Sequence, residues 1–316
     1  MNSFKNILYV SLGDENNDHA LTQALSLARN NQAEIETLII APEFPGPMSE
    51  HIVKFESYAT ENMEQRIRTA GESLGADGAA SDVKVTIRHQ SGGKIASDVI
   101  AHALKNGHDL IIKEADCHSA THCRGFKALD MDLLRKSACP VWLTHPITRP
   151  RQDIRVAVAI DPEGEQPAAG RLAQRLLKMA RQLADTCGGK LDIVSCWRYE
   201  FESHVSNNIW FKLPQDEVSV LVEKERLRHR QALDNLISES GIAGQTEVHH
   251  LKGRAEDEIP EFIRSQNIDI LVMGTVARTG IPGFLIGNTA ENIIQQIECS
   301  LLAVKPHEFV SPVKPE

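Results

Sequence analysis

Part of this chain is written twice. Asp109-Leu-Ile-Ile-Lys-Glu-Ala recurs as Asp269-Ile-Leu-Val-Met-Gly-Thr, and Cys139-Pro-Val-Trp-Leu-Thr-His-Pro recurs as Cys299-Ser-Leu-Leu-Ala-Val-Lys-Pro, both 160 positions later. Near the N-terminus, Asn6-Ile-Leu-Tyr-Val-Ser-Leu has its counterpart in Ile154-Arg-Val-Ala-Val-Ala-Ile, 148 positions on. One long period of this kind is a duplicated domain, because solenoids and propellers repeat every ~20–50 residues. The second copy gains about twelve residues, for which the stretch Arg198–Val218 is the natural place. The boundary falls in Pro146–Gln152 (PITRPRQ), rich in proline and charge, and gives domains 1–148 and 152–310.

Within each copy, short apolar runs alternate with longer amphipathic patterns. The first copy predicts strands at 6–12, 34–41, 83–89, 109–113 and 140–144, with helices at 18–30, 50–75, 94–106 and 129–137. The second predicts strands at 154–160, 190–197, 246–251, 268–273 and 300–304, with helices at 167–187, 217–241, 255–266 and 289–297. Continuously apolar strands separated by helices mean a parallel sheet covered on both faces. The fold class is therefore α/β: two tandem doubly wound parallel-sheet domains, Rossmann-like, forming an intramolecular pseudo-dimer. The fifth strands of the copies are edge candidates. They can pair with each other or across the subunits of a homodimer.

Composition narrows the function. A formal net charge of -9 argues against nucleic acid as the main partner, because neutralising phosphates takes clustered Lys and Arg. No apolar window is long enough to insert in a membrane. The N-terminus lacks the pattern of a signal peptide, so a cytoplasmic location is expected. The six cysteines show no disulfide framework, and reduced structural thiols are expected.

The stretch Gly274–Thr289, GTVARTGIPGFLIGNT, lies between an apolar strand and an amphipathic helix. A glycine-rich connection of this kind can bring main-chain N–H groups and a helix dipole onto an anion, most often a phosphate. In a doubly wound sheet this edge is where ligands bind. With the repeat around it, the stretch resembles the ATP-binding loop of the universal stress protein family: Gly, two residues, Gly, nine residues, Gly, then Ser or Thr. The matching positions are Gly274, Ala277, Gly287 and Asn288, and Thr289-Ala-Glu-Asn resembles the family's helix start. The resemblance covers both copies and points to the tandem, two-domain type. Ala277 departs from the second glycine, and Asn288 from the hydroxyl residue, with Thr289 offering a hydroxyl one position on.

The resemblance implies ATP or ADP in the second domain, with Mg where phosphoryl transfer occurs, and at most slow ATP hydrolysis in a stress-response protein. It places Asp161, at the end of the VAVAID strand, beside the adenine, and it places the backbone of Cys196 there too. Asp161-Pro162 equally reads as a turn starter. Without a ligand, the loop would be a helix cap formed by Asn288 or Thr289. No nucleophile elbow, HExxH helix or complete P-loop is present.

The first copy lacks the loop. Lys113-Glu114-Ala115 stands where the second has Met273-Gly274-Thr275, and the glutamate puts negative charge where an anion would sit. In place of the loop the chain reads Asp116-Cys-His118-Ser-Ala-Thr-His122-Cys123, with Asp130 and Asp132 before the next helix. Asp116, His118, Asp130 and Asp132 form a candidate zinc set, with Cys117, His122 and Cys123 as rivals. The other reading is a solvated loop whose aspartates cap the helix. Trp197, Tyr199, Phe201, Trp210 and Phe211 flank or occupy the second-copy insertion. They either line a pocket for an apolar, lipid-like molecule or a protein partner, or seal the contact between the copies.

Overall fold

The computed structural model describes residues 4–13, 18–74, 83–116, 125–164, 167–202, 214–275 and 286–314. The first half runs β1 (Asn6–Ser11), α1 (His19–Asn31), β2 (Glu34–Ala41), α2 (Ile52–Ser73), β3 (Val85–Ser91), α3 (Ile95–Lys105), β4 (Leu110–Glu114), α4 (Ala128–Lys136) and β5 (Val141–Thr144). The second runs β6 (Val156–Ala159), α5 (Pro167–Asp185), β7 (Lys190–Trp197), α6 (Gln215–Ser240), β8 (Gln245–Lys252), α7 (Ala255–Gln266), β9 (Ile270–Gly274), α8 (Asn288–Ile294) and β10 (Ser300–Val304).

The strands form one sheet in the order β3-β2-β1-β4-β5-β10-β9-β6-β7-β8. Every neighbouring pair is parallel except the central one. There β5 and β10 run antiparallel, with Leu143 opposite Leu301, Trp142 opposite Leu302 and Val141 opposite Ala303. A duplicated domain meeting its copy about a two-fold axis must pair equivalent strands antiparallel. The two fifth strands thus pair within the chain, which consumes both of those edges.

Residues of the inner strands alternate between two cores, which is why those strands read as mainly apolar runs. Ile7, Tyr9, Ile112, Trp142 and Leu302 face one core; Leu8, Val10, Ile111, Leu143 and Leu301 face the other. The first core packs under α1, α2, α5 and α6, and the second under α3, α4, α7 and α8. Each core contains residues of both halves, so the halves share an interior.

Polar contacts also cross the seam. The His145 N–H donates to Ser300 Oγ at 2.9 Å. Lys305 Nζ donates to the carbonyls of Arg135 at 2.6 Å and Ser137 at 2.9 Å, at the end of α4. Gly125, at φ +72°, lies where an added Cβ would come within 3.0 Å of the Gln295 carbonyl oxygen, and its N–H donates to the Ile297 carbonyl at 3.0 Å. Positive φ and close approach together demand glycine there.

Two local details differ from the sequence expectation. Helix α8 is shorter than the 289–297 pattern, ending at Ile294, while Ile297 is still delivered to the core. Gly287 is its N-cap, in extended conformation, so neither Asn288 nor Thr289 fills that role. Pro260 lies inside α7 and cannot donate to the Glu256 carbonyl. Gln296 Nε2 takes that carbonyl at 3.1 Å and ties the chain beyond α8 to α7.

Candidate functional site

In the second half the order reverses between β9 and β6: the chain goes from β6 outward to β7 and β8, then returns to β9 on the other side. Such a reversal opens a crevice beyond the carboxyl ends of the two strands. Gly274 ends β9, and Asp161 follows β6 on the adjacent strand. A Cβ on Gly274 would meet Leu172 Cδ2 of α5 at 3.0 Å. Thr275 is buried; its N–H donates to the Val304 carbonyl at 3.2 Å, and its own carbonyl accepts from Gly287 N–H at 2.9 Å. The loop is therefore pinched at its base. Its far end returns to the end of β9, and the exposed Asn288 and Thr289 begin α8 at that point. Ala277 lies outside the described residues.

Asp161 is exposed, and its Oδ1 accepts from the Glu163 N–H at 3.0 Å, so the turn-starting role is realised. Cys196 sits half-buried on β7; burial, then the Glu258 and Glu256 carboxylates, push its thiol up to about 12. An inert thiol fits a position where only the backbone is expected to matter. The four described cysteines, 139, 187, 196 and 299, are all free thiols.

One flank of this crevice was not legible in the sequence. His229 of α6 and His250 of β8 approach to 2.9 Å between ring nitrogens, and Trp197, ending β7, stacks on His250 with centroids 5.6 Å apart. Burial lowers both imidazoles, His250 to about 4. Both are neutral at physiological pH, which lets one donate to the other.

The first half has the equivalent reversal between β1 and β4, but its crevice is filled differently. Lys113 is buried, and its Nζ lies 2.6 Å from Asp116 Oδ1, 3.1 Å from Asp130 Oδ1 and 2.7 Å from the Glu114 carbonyl. The Asp116 N–H donates to Asp130 Oδ2 at 2.9 Å. Burial alone would lower the lysine, but the Asp130 and Asp116 charges outweigh it and hold its pKa above the ordinary value. Burial raises Asp130 against the pull of Lys113, as expected where two carboxylates share one ammonium. Of the four residues expected to ligate zinc, Asp116 and Asp130 thus meet, around Lys113 Nζ. Asp132 pairs with Lys136 at 2.7 Å on the outer face of α4, and His118 lies outside the described residues. Among the described residues, Asp192, Glu247 and His249 also lie within ligand distance of one another on β7 and β8. Lys190 Nζ stands 2.7 Å from Glu247 there and 3.8 Å from Asp192.

The sequence profile of the universal stress protein family matches residues 3–145 and again residues 155–305. The chain belongs to the universal stress protein family. It carries two such domains in tandem. Universal stress protein E of Escherichia coli K12 is 28% identical over 320 residues, covering 99% of this chain and 98% of the relative. A Universal stress protein E homolog of Haemophilus influenzae is 26% identical over 316 residues, covering 96% and 98%. Among solved structures, a functionally unknown protein of Pseudomonas aeruginosa PAO1 matches with a TM-score of 0.73 at 23% identity, over 97% of this chain and 94% of its own. A universal stress protein of Archaeoglobus fulgidus matches with a TM-score of 0.64 at 16% identity, over 95% and 98%. At such identities these two likenesses speak to fold alone. In this universal stress protein, no described helix is long and apolar enough to cross a membrane. Residues 203–213, with Trp210 and Phe211, lie outside the described residues; Trp197, Tyr199 and Phe201 lie within them.

Proposed function

We propose that the second domain binds an adenine nucleotide, ATP or ADP, in the crevice between β6 and β9, as part of a cytoplasmic stress-response protein. The observation that carries this reading is the pinch between Thr275 and Gly287, which returns the start of α8 to the carboxyl end of β9. The first N–H groups of a helix have no partner within it. Those of Asn288 and Thr289 face the role of phosphate donors, with the Thr289 hydroxyl beside them. Gly274 keeps the strand end free of side-chain bulk. Asp161, just after the neighbouring strand, would accept from a ribose hydroxyl or the adenine amine, with the Cys196 backbone along the same edge.

Phosphoryl transfer requires a positioned metal and a base or aligned water. Among the described residues of this crevice no positioned base or metal-ligand set stands beside Asp161, so any hydrolysis in the presence of Mg is slow. The reading is for a nucleotide-dependent conformation, with turnover incidental.

Calorimetric titration of the full chain with ATP and with ADP, with and without magnesium, tests it. Saturable binding at one site per chain is expected, and it is lost in Gly287→Leu. No saturable binding below millimolar ends the reading. Affinity that survives Gly287→Leu places the nucleotide elsewhere, and phosphate release that survives it belongs to a contaminant.

A further inference from the structure

A cavity of about 340 Å3 lies at the seam between the two domains, on the face covered by α1 and α5. Leu27 of α1, Trp142 of β5 and Leu183 of α5 line it, with Ile147, Arg149 and Arg151 of the connector between domains. Its volume falls within the range of small-molecule pockets, about 300–1,000 Å3.

Three features of the cavity define what it would take. Its walls are mainly hydrocarbon and aromatic, which fits an apolar body. Trp142 is only 3% exposed, yet among the described residues its indole N–H has no hydrogen-bond partner, and Gln23 Oε1 on the α1 wall is also buried without one there. Buried donors and acceptors are ordinarily satisfied, because leaving one unpaired costs about 1–3 kcal/mol. Arg151, finally, has no carboxylate partner among the described residues; its Nε donates to the Thr186 carbonyl. Arg149, by contrast, is shared with Asp269 at 3.4 Å.

We infer that this interdomain cavity binds a compact amphipathic monoanion: a ring-sized apolar body carrying one carboxylate or sulfonate. The body lies among Leu27, Ile147 and Leu183. The anion pairs with the Arg151 guanidinium, and the indole N–H of Trp142 donates to one of its oxygens. Because α1 and α5 belong to different domains, the ligand bridges them. The site is independent of the nucleotide crevice.

The test uses 1-anilinonaphthalene-8-sulfonate and its neutral counterpart N-phenyl-1-naphthylamine, which lacks the sulfonate. The anionic dye is expected to saturate at one per chain, undisturbed by excess ATP. Arg151→Gln weakens it about tenfold, the scale of one charge-assisted hydrogen bond, and leaves the neutral dye unchanged. Ser26→Trp fills the cavity from α1 and abolishes both. If that variant misfolds, alkylation of Cys187, another lining residue, gives a second measurement in the unaltered protein. The dye should slow its reaction with iodoacetamide, read by peptide mass spectrometry. Unsaturable dye binding, displacement by ATP, equal affinity in Arg151→Gln, or an unchanged Cys187 rate would each overturn the proposal.

Discussion

Lys113 and Asp130 face each other across 3.1 Å in the interior of the first domain, at 2% and 0% side-chain exposure. The repeat-related positions in the second domain are Met273 and Ala290, an apolar pair. One domain therefore holds a buried ion group at the place where the other leaves neutral packing beneath its crevice. Removing one member of a buried pair strands the other charge, at a cost of about 3–5 kcal/mol. Lys113→Met is expected to lose stability on that scale, since Asp130 and Asp116 would remain without their cation. Lys113→Met combined with Asp130→Ala reproduces the second domain's pair and should recover most of the loss. Urea unfolding of the two variants decides; a single variant as stable as the parent would show that the ammonium is not needed.

The first domain also shows how the crevice proposed for the nucleotide can be closed. Glu114 ends β4 where Gly274 ends β9. A side chain at Gly274 must displace Leu172, whose Cδ2 lies 3.0 Å from the added Cβ. That terminal methyl can move, so Gly274→Ala should keep most nucleotide affinity. Gly274→Glu adds volume and a negative charge at the strand end, as in the first domain, and should remove ATP binding beyond detection in calorimetry. Equal loss in the two variants would mean that any side chain at the strand end closes the crevice, and charge adds nothing.

The repeat made most of the fold legible. Apolar runs separated by amphipathic stretches gave each strand to within a residue or two, because most positions in the inner strands of a parallel sheet covered on both faces are apolar. The two fifth strands were legible as edges, while their pairing within the chain rather than across subunits was decided by the antiparallel register of β5 and β10. Pairing that depends on tertiary approach stayed hidden. Lys113 follows Leu110-Ile-Ile in a strand, and a cation in such a run is buried and needs an acid. Which acid it takes is settled only when α4 brings Asp130 beside β4, and Asp130 read as a helix cap or a metal ligand. The cavity at the seam was invisible for the same reason: PITRPRQ reads as a boundary, and nothing in it says that Arg149 and Arg151 border a hollow. Asn288 read as a cap because polar residues usually fill that position, yet Gly287 occupies it.

Acid should loosen the seam through His145. Burial lowers its imidazole from the ordinary 6.5 to about 4. Between those values the unfolded chain takes up a proton that the folded chain refuses. Stability is therefore full above about pH 6.5 and falls as pH drops toward 4, by at most about 1.4 kcal/mol per pH unit from this residue. His145→Leu keeps the main-chain donation to Ser300 Oγ and removes the titrating ring. His250, also near 4, remains in both proteins, so the difference between them isolates His145. Thermal midpoints measured from pH 7.5 to pH 4.5 should fall less steeply in the variant; parallel curves would sink the assignment.

A residue of the first domain should tune the proposed nucleotide site of the second. Arg135, near the end of α4, forms an ion pair with Glu291 in the first turn of α8. A carboxylate there is stabilised by the helix dipole but opposes an anion bound at the same N-terminus. Arg135 offsets that charge from across the seam. Arg135→Gln leaves Glu291 unneutralised and should weaken ATP binding by a factor of about two to five, the range of a charge near a helix end. Glu291→Gln removes the opposing charge and should tighten it by a similar factor, while the double variant loses both charges and should bind about as the parent does. Both single effects shrink at high salt, because the pair is partly exposed. Calorimetry with ATP at two ionic strengths reads all of this, and an Arg135→Gln affinity equal to the parent's at low salt would show that the two domains do not communicate by this route.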